Sequence, residues 1–157
     1  MSSANESIGM HHRLAGEIRE GRHLLAVRVY YEDTDFTGVV YHASYLRFME
    51  RGRTEYLRLL GTDHRALFEE TEQEAPGFHF VVRSMRIDFI RPARMNDVLS
   101  VITRPRDVKG ASITLNQQVA RDGETLVEAE VRVAFVSGGR AHRIPQALRT
   151  AMRADIP

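Results

Sequence analysis

The sequence contains no cysteine, no tryptophan and a single lysine, Lys109, among its 157 residues. Without cysteine the chain has no disulfides, no thiol nucleophile and no thiolate-bound metal. No apolar run approaches the ~20 residues that a membrane-spanning helix needs. The first residues also lack the apolar stretch of a secretory signal. The net charge is only +1, so the charge balance does not call for a nucleic-acid partner.

The composition is that of an ordinary globular protein, with 43% apolar and 27% charged residues. A chain of this length forms one domain with a sizeable core. The beginning of the sequence is poor in apolar residues, which predicts a loosely ordered tail over residues 1–22. Residues 23–157 are expected to fold as a single domain.

Hydrophobic periodicity predicts one long helix and several strands. A 3.6-residue period covers residues 43–60, and Gly61 is expected to end that helix. Gly52 costs this helix about 1 kcal/mol relative to alanine, which predicts close packing against a sheet. Two short helices are expected at residues 63–71 and 146–153. Alternation predicts five strands, at residues 24–31, 80–90, 97–106, 111–121 and 125–136.

The short turns between the last four strands favour antiparallel neighbours. The expected α+β architecture is therefore a curved five-stranded antiparallel sheet wrapped around one long central helix. The edge strands of such a sheet are open, which predicts edge-to-edge self-association.

The segment YEDTDFTGVVYHASY, residues 31–45, lies between the first strand and the long helix. It joins three acids to a glycine turn and to His42 at the helix start. A carboxylate beside free N–H groups at a helix start can attack an activated carbonyl and stabilise the oxyanion. Asp35 can equally be a plain turn or cap residue. No recognised ligand spacing supports a metal site here.

The sequence VRVYYEDTDFTGVVYHASYLRFMERGRTEYLR, residues 27–58, resembles the signature of the hotdog-fold acyl-CoA thioesterases. The likeness is to the group related to 4-hydroxybenzoyl-CoA thioesterase, closest to the subgroup associated with the Tol-Pal envelope system. Residues 80–99 and 109–119 resemble the same subgroup, and the likeness covers about residues 24–148. A departure is Phe36-Thr37, where the family more often has small residues. The resemblance implies a hotdog domain over residues 23–157.

The resemblance also implies hydrolysis of acyl-CoA thioesters to free acid and coenzyme A. Asp35 would be the nucleophile or a general base toward water, two roles that the sequence leaves open. The backbone N–H groups near Tyr41 and His42 would bind the oxyanion, and His42 could also position substrate. The other implied substrate contacts are Gly38, Val40, Glu50, Lys109, Gly110, Ala111 and Ser112. Glu50 could instead have a structural role, as one partner of an ion pair with an arginine.

Coenzyme A is part of this substrate, so no separate cofactor is expected. The expected partners are the acyl-CoA and further copies of the chain, as a homodimer or homotetramer. Acyl carrier protein thioesters are an alternative substrate. A second alternative is a mainly non-catalytic role as a partner of acyl carrier protein or envelope machinery. A third is a hotdog dehydratase, but the motif of those enzymes is not found in this sequence. The expected location is the cytoplasm, and the alternative is a peripheral position at the inner membrane.

Overall fold

The computed structural model describes residues 10–11 and 13–157 of the chain. Residues 1–9 and 12 of the predicted tail lie outside the described residues. Helices α1, α2 and α3 span His42–Asp63, Arg65–Glu74 and Gln146–Arg153, and a short 3-10 helix spans Tyr31–Asp33. The described strands β1 to β7 are, in order, Glu17–Arg19, Arg22–Arg28, His79–Phe89, Val98–Lys109, Ser112–Arg121, Glu124–Ser137 and Arg140–Ala141.

The strands form one antiparallel sheet in the order β1-β2-β4-β5-β6-β3, with β7 paired to β6. The five long strands correspond to the predicted ones, so the predicted α+β hotdog architecture is confirmed. β7 is an addition of only two residues, too short to show an alternating pattern. No described helix is both long and apolar enough to cross a membrane.

Strand β1 lies inside the range predicted as a loose tail, so the expected boundary at residue 22 is wrong for residues 17–22. The β1–β2 hairpin pairs Glu17 with Leu24 and Arg19 with Arg22. Its turn is Glu20-Gly21, and both residues have positive φ. Two residues of positive φ are what a tight hairpin needs, and glycine is one of the residues that favour it.

Helix α1 buries one face against the sheet. Tyr45, Phe48, Met49, Tyr56 and Leu60 are each at most 3% exposed. The helix runs through Gly61 to Asp63, so the prediction that Gly61 ends it is wrong. Gly61 instead makes room for α2, because a Cβ there would lie 3.0 Å from Cδ2 of Phe68.

The prediction of close packing at Gly52 is confirmed. A Cβ at this position would lie 2.8 Å from Cγ1 of Val101 and 2.9 Å from Oγ1 of Thr103. Gln117 reinforces the same contact, since its Nε2 donates to the Met49 carbonyl and to Thr103 Oγ1, both at 2.9 Å. Helix α1 is thus fastened to β4 and β5 at its middle.

The loop between β2 and α1 lies at the Val98 end of β4. Val29 N–H donates to the Asp97 carbonyl at 2.9 Å, and Val40 N–H donates to the Ala93 carbonyl at 2.8 Å. These bonds attach both ends of the loop to the segment before β4. The fold therefore anchors the acidic segment at both ends, beside the start of α1.

Candidate active site

Asp33 and Asp35 have different environments although they are two residues apart. Asp33 is 4% exposed, and its Oδ2 accepts from the Tyr30 N–H at 2.8 Å. Its carbonyl accepts from the Tyr41 N–H at 2.9 Å and from Ser44 Oγ at 3.0 Å. Asp33 therefore ties the loop to the helix start, which is a structural role.

Asp35 lies on the outer part of the loop and is partly exposed. Its Oδ1 accepts from the hydroxyl of Thr37 and from the Thr37 N–H, the latter at 2.9 Å. The hydroxyl bond, with backbone hydrogen bonds from Thr37 and Val39, lowers the pKa of Asp35 despite an opposing contribution from desolvation. The carboxylate is therefore ionised throughout the neutral range.

Thr37 is the residue of this loop that sequence reasoning missed. It stands at the Phe36-Thr37 departure from the family pattern, and it fixes the Asp35 carboxylate through two hydrogen bonds. The sequence pattern that could have revealed the role of Thr37 is a local one. An aspartate followed two residues later by threonine favours a turn in which the carboxylate accepts the second residue's N–H.

Gly38 completes this turn, as predicted. Its φ is +85°, and its N–H donates to the Asp35 carbonyl at 3.1 Å. No described atom lies within 4 Å of the position that a Cβ would take, so its face is open. The turn leaves Phe36 fully exposed at the tip of the loop.

Helix α1 begins at His42, the residue expected at its start. The Tyr41 N–H donates to the Asp33 carbonyl, so it is not free to bind an oxyanion, and this part of the prediction needs correction. Within the described part of the chain, the N–H groups of His42 and Ala43 have no acceptor. These two groups are the donors that the helix start presents.

A cleft of about 250 Å³ opens beside this helix start. His42 lies in its wall, with ring centroids 4.5 Å from Tyr41 and 6.2 Å from Phe89. Tyr45 also lines the cleft, and its side chain is held in place because its hydroxyl oxygen accepts a hydrogen bond from the Ala93 N–H at 3.0 Å. The other lining residues are Val40, Ile90, Arg91 and Pro92. Val40 thus lines this cleft, while Asp35 and Gly38 are on the adjoining turn outside its lining.

Glu50 lies eight residues beyond His42 on α1, a distance of ~12 Å along the helix. It lines a different cavity, shared with Arg53 and Thr54. No described arginine comes within salt-bridge distance of it, so the structure does not form the ion pair considered as an alternative.

Residues Lys109 to Ser112 form the tight turn between β4 and β5. The Gly110 and Ala111 carbonyls accept from the Ile144 and Phe135 N–H groups at 2.9 and 2.7 Å. This turn is at the opposite end of β4 from the Asp35 loop, roughly 35 Å away along the strand. Within one copy of the chain, the two predicted parts of the site are not brought together.

Two arginines of the strands and their connections form ion pairs with glutamates, Arg91 with Glu124 and Arg106 with Glu130. Among the described residues, no group of three or more histidines, aspartates or glutamates is arranged to hold a metal ion.

Comparisons with known proteins identify the family to which the chain belongs. Residues 29–152 match the family model of the thioesterase-like superfamily. The acyl-CoA thioesterase YbgC of Haemophilus influenzae is 47% identical over 114 residues, which is 73% of this chain and 80% of that protein. The acyl-CoA thioester hydrolase YbgC of Escherichia coli O6:H1 is 45% identical over 111 residues, 70% of this chain and 78% of that protein.

Among solved structures, a thioesterase from Thermus thermophilus, complexed with coenzyme A and Zn, has a TM-score of 0.71 and 28% identity. The match covers 84% of this chain and 92% of that one. A probable thioesterase from Bartonella henselae has a TM-score of 0.64 at 38% identity, covering 79% and 98% of the two chains. The chain belongs to the thioesterase-like superfamily and has its hotdog fold. It is an enzyme of the thioester-hydrolase class.

Proposed function

We propose that the protein hydrolyses acyl-CoA thioesters to free acid and coenzyme A, with the Asp35 carboxylate as the nucleophile. The observation that carries this proposal is an ionised carboxylate, hydrogen-bonded by Thr37, on the loop that leads into a helix start with two N–H groups without described acceptors. Relatives named acyl-CoA thioesterases support the choice of substrate.

In the proposed reaction, Oδ2 of Asp35 attacks the thioester carbonyl carbon, because Oδ1 is held by Thr37. The His42 and Ala43 N–H groups bind the oxyanion, with support from the helix dipole. Collapse of the tetrahedral intermediate breaks the C–S bond and expels the coenzyme A thiolate, leaving a mixed anhydride on Asp35. Water then cleaves the anhydride to the free acid and the Asp35 carboxylate, and one of its protons goes to the thiolate.

The lowered pKa of Asp35 supports this route over general-base catalysis. A base acts best when its pKa lies near the working pH, whereas a nucleophilic carboxylate needs only to be ionised. A thiol with a pKa of ~8.5 is a good leaving group without acid assistance. The route uses no cofactor, and we expect activity to survive removal of metal ions by a chelator.

The test is thiol release by Asp35→Asn and Asp35→Ala variants on a panel of acyl-CoA thioesters. Both variants should lose activity by on the order of a thousandfold or more, since they lack the attacking oxygen. Glu32→Gln is the matched control, because it removes an exposed charge from the same loop and should remain active. Full activity of both Asp35 variants would rule out the mechanism. Transfer of ¹⁸O from labelled water into Asp35 in a single turnover would distinguish nucleophile from base.

We propose further that the active enzyme contains at least two copies of the chain, paired along β3. This strand of 11 residues has a described partner, β6, on one side only, and Val82 and Phe89 on it are 45% and 51% exposed. A two-fold axis would pair β3 antiparallel with its copy. The partner's Lys109–Ser112 end would then approach the first copy's Asp35 end, which would reunite the two predicted parts of the site.

Acyl carrier protein thioesters are the alternative substrates, and an assay with matched acyl groups on both carriers separates the two. A cytoplasmic location and contact with the inner membrane are also proposals, which cell fractionation tests. Stable binding of acyl carrier protein without turnover of any thioester would favour the non-catalytic alternative.

A further inference from the structure

A cavity of about 290 Å³ lies between α1 and the inner face of strands β5, β6 and β3. The main contacts of α1 with the sheet are to β4, β2, β1 and β5. The helix therefore leaves part of the β6 and β3 face uncovered, and the cavity occupies this space. Its volume is near the lower end of the ~300–1,000 Å³ range of small-molecule pockets, which suits a short ligand.

The buried part of the cavity lining is apolar. It consists of side chains from α1, β5, β6 and α3, namely Tyr56, Ile113, Leu115, Val133 and Met152. The Tyr56 hydroxyl is already engaged, since it donates to Asp155 Oδ2 at 2.7 Å. Leu57 and Phe80 are half-buried and extend the apolar wall, whereas Glu50 and Thr54 form an exposed edge. Such a lining suits an apolar chain or ring whose polar end lies toward the exposed edge.

Arg53 is the cationic group of this cavity, and a buried glutamine holds it in place. Its Nη1 donates to Gln117 Oε1 at 2.9 Å. The Gln117 Nε2 in turn donates to the Met49 carbonyl and to Thr103 Oγ1, both at 2.9 Å, and Gln117 is 1% exposed. The guanidinium is therefore positioned before any ligand binds, which lowers the entropy cost of binding.

The Arg53 guanidinium also has N–H groups left for a ligand. It carries several donors in a planar fork, and its side-chain acceptor among the described residues is Gln117 Oε1. No described carboxylate lies within 4.0 Å of it. Burial lowers the pKa of Arg53, and the nearby charge of Glu50 opposes that shift. A half-buried cation without a counter-ion is costly, so an anion bound here would offset that cost.

We infer that this cavity binds a carboxylate attached to an apolar chain, with Arg53 donating to the carboxylate oxygens and the chain lying against the buried lining. A planar guanidinium matches a carboxylate in geometry as well as in charge. Two sources supply this chemistry. One is a free carboxylic acid, and the other is an acyl group that carries a carboxylate at its far end. The second source rests on the proposed function, whereas binding of a free acid does not.

The first test is calorimetric titration of the full chain with octanoate and, as the uncharged match, with 1-octanol. Octanoate should bind more tightly by about tenfold or more, because a charged pair adds to the same apolar contact. Arg53→Met should weaken octanoate by at least about tenfold and leave octanol within about threefold, which also shows that the cavity is intact. Arg51→Met removes an exposed arginine outside the lining and should change neither affinity.

Two further variants separate charge from space in the same titrations. Glu50→Gln should tighten octanoate by about threefold, because it removes a negative charge from the lining that holds the carboxylate. Thr54→Trp places a large ring at the exposed edge of the cavity and should weaken octanoate and octanol alike. Circular dichroism confirms that each variant is folded.

The second test distinguishes the two sources by thiol release from octanoyl-CoA and from suberyl-CoA, which has the same chain length with a terminal carboxylate. If the cavity holds the far end of the acyl group, kcat/KM should be higher for suberyl-CoA, and Arg53→Met should remove the difference. Octanoate titration is repeated with Asp35→Asn, where binding should persist. Failure of the reaction at Asp35 is therefore distinguishable from failure of the cavity to bind.

Equal affinity for octanoate and octanol, or octanoate binding that survives Arg53→Met, would overturn the inference. Absence of octanoate binding would overturn it as well, unless suberyl-CoA is preferred in an Arg53-dependent way, which would assign the carboxylate to the acyl group. Dissociation of an oligomer by Thr54→Trp, with no effect on either ligand, would show that a second copy fills the cavity, and the inference would then be wrong.

Discussion

At the scale of single residues, hydrogen bonds decide which acid of the loop is available for chemistry. Asp33 and Asp35 are the same residue type in the same short segment, and residue type alone does not separate them. The buried Asp33 accepts from Tyr30 N–H and supports the helix start through its carbonyl. Among the described residues, the Asp35 carboxylate accepts hydrogen bonds from Thr37 of its own turn, and it is partly exposed to solvent.

Removing the Thr37 hydroxyl should shift the pH dependence of the enzyme. The Thr37 bonds favour the charged form of Asp35 and lower its pKa, so Thr37→Val should raise that pKa toward its ordinary value of about 3.9. The acid limb of the kcat/KM profile should therefore move to higher pH, with little change near pH 7. Thr37→Ser keeps a hydroxyl and should retain the original profile. An unchanged acid limb in Thr37→Val would show that Asp35 does not control it.

The burial of His23 predicts that the folded protein loses stability in acid. Its ring is fully buried, Nε2 donates to the Ala15 carbonyl at 2.7 Å, and Nδ1 has no partner in the described structure. Burial lowers the pKa of His23, against opposing contributions from the Ala15 bond and from Glu55. The unfolded chain therefore binds more protons, and the contribution of His23 to stability is lost as the pH falls below about 6.5.

The measurement is urea unfolding near pH 8 and near pH 5.5, pH values that bracket the ordinary histidine pKa of about 6.5. His23→Gln is the informative variant, because its amide N–H can still donate to Ala15 without titrating. The free energy of unfolding of the original chain should fall more between these pH values than that of the variant. Equal losses in both would assign the effect to other histidines.

At the scale of elements, periodicity predicted the long helix and all five long strands, because each has one face in the core. Periodicity did not predict the β1–β2 hairpin or the position at which α1 ends. The β1–β2 hairpin depends on the Glu20-Gly21 turn, and α1 continues through Gly61 to Asp63, with Gly61 making room for the Phe68 ring instead of stopping the helix. Both misses are tertiary or turn effects that override a local pattern.

Gly52→Ala should destabilise the protein although alanine favours helices by about 1 kcal/mol. The added Cβ would lie 2.8 Å from Val101 and 2.9 Å from Thr103, side chains that are fully buried and cannot move freely. We expect a net loss of about 1–3 kcal/mol in the free energy of unfolding, measured with urea. Gly61→Ala is the comparison, because its close neighbour is the half-buried Phe68 ring. A larger loss at Gly61 would contradict this account.

At the scale of the whole molecule, the sequence predicted two groups of site residues but did not predict the distance between them. Asp35 follows β2, whereas Lys109 is the last residue of β4, and the strand register places these two positions far apart in one copy. A local motif predicts candidate residues, whereas the distance between two motifs depends on the sheet order. The proposed assembly through β3 would remove this separation, so a test of the shared site also tests the proposed oligomer.

Subunit complementation tests whether the site is shared between copies. Asp35→Asn removes the nucleophile, and Lys109→Glu with Ser112→Ala alters the distant turn while keeping Gly110. Each homodimer should be weakly active. After mixing and subunit exchange, half of the dimers are mixed, and each mixed dimer has one site with an intact Asp35 and an intact turn. Activity should therefore rise to about a quarter of that of the original enzyme. If the site were contained in one copy, mixing would give only the average of the two weak activities.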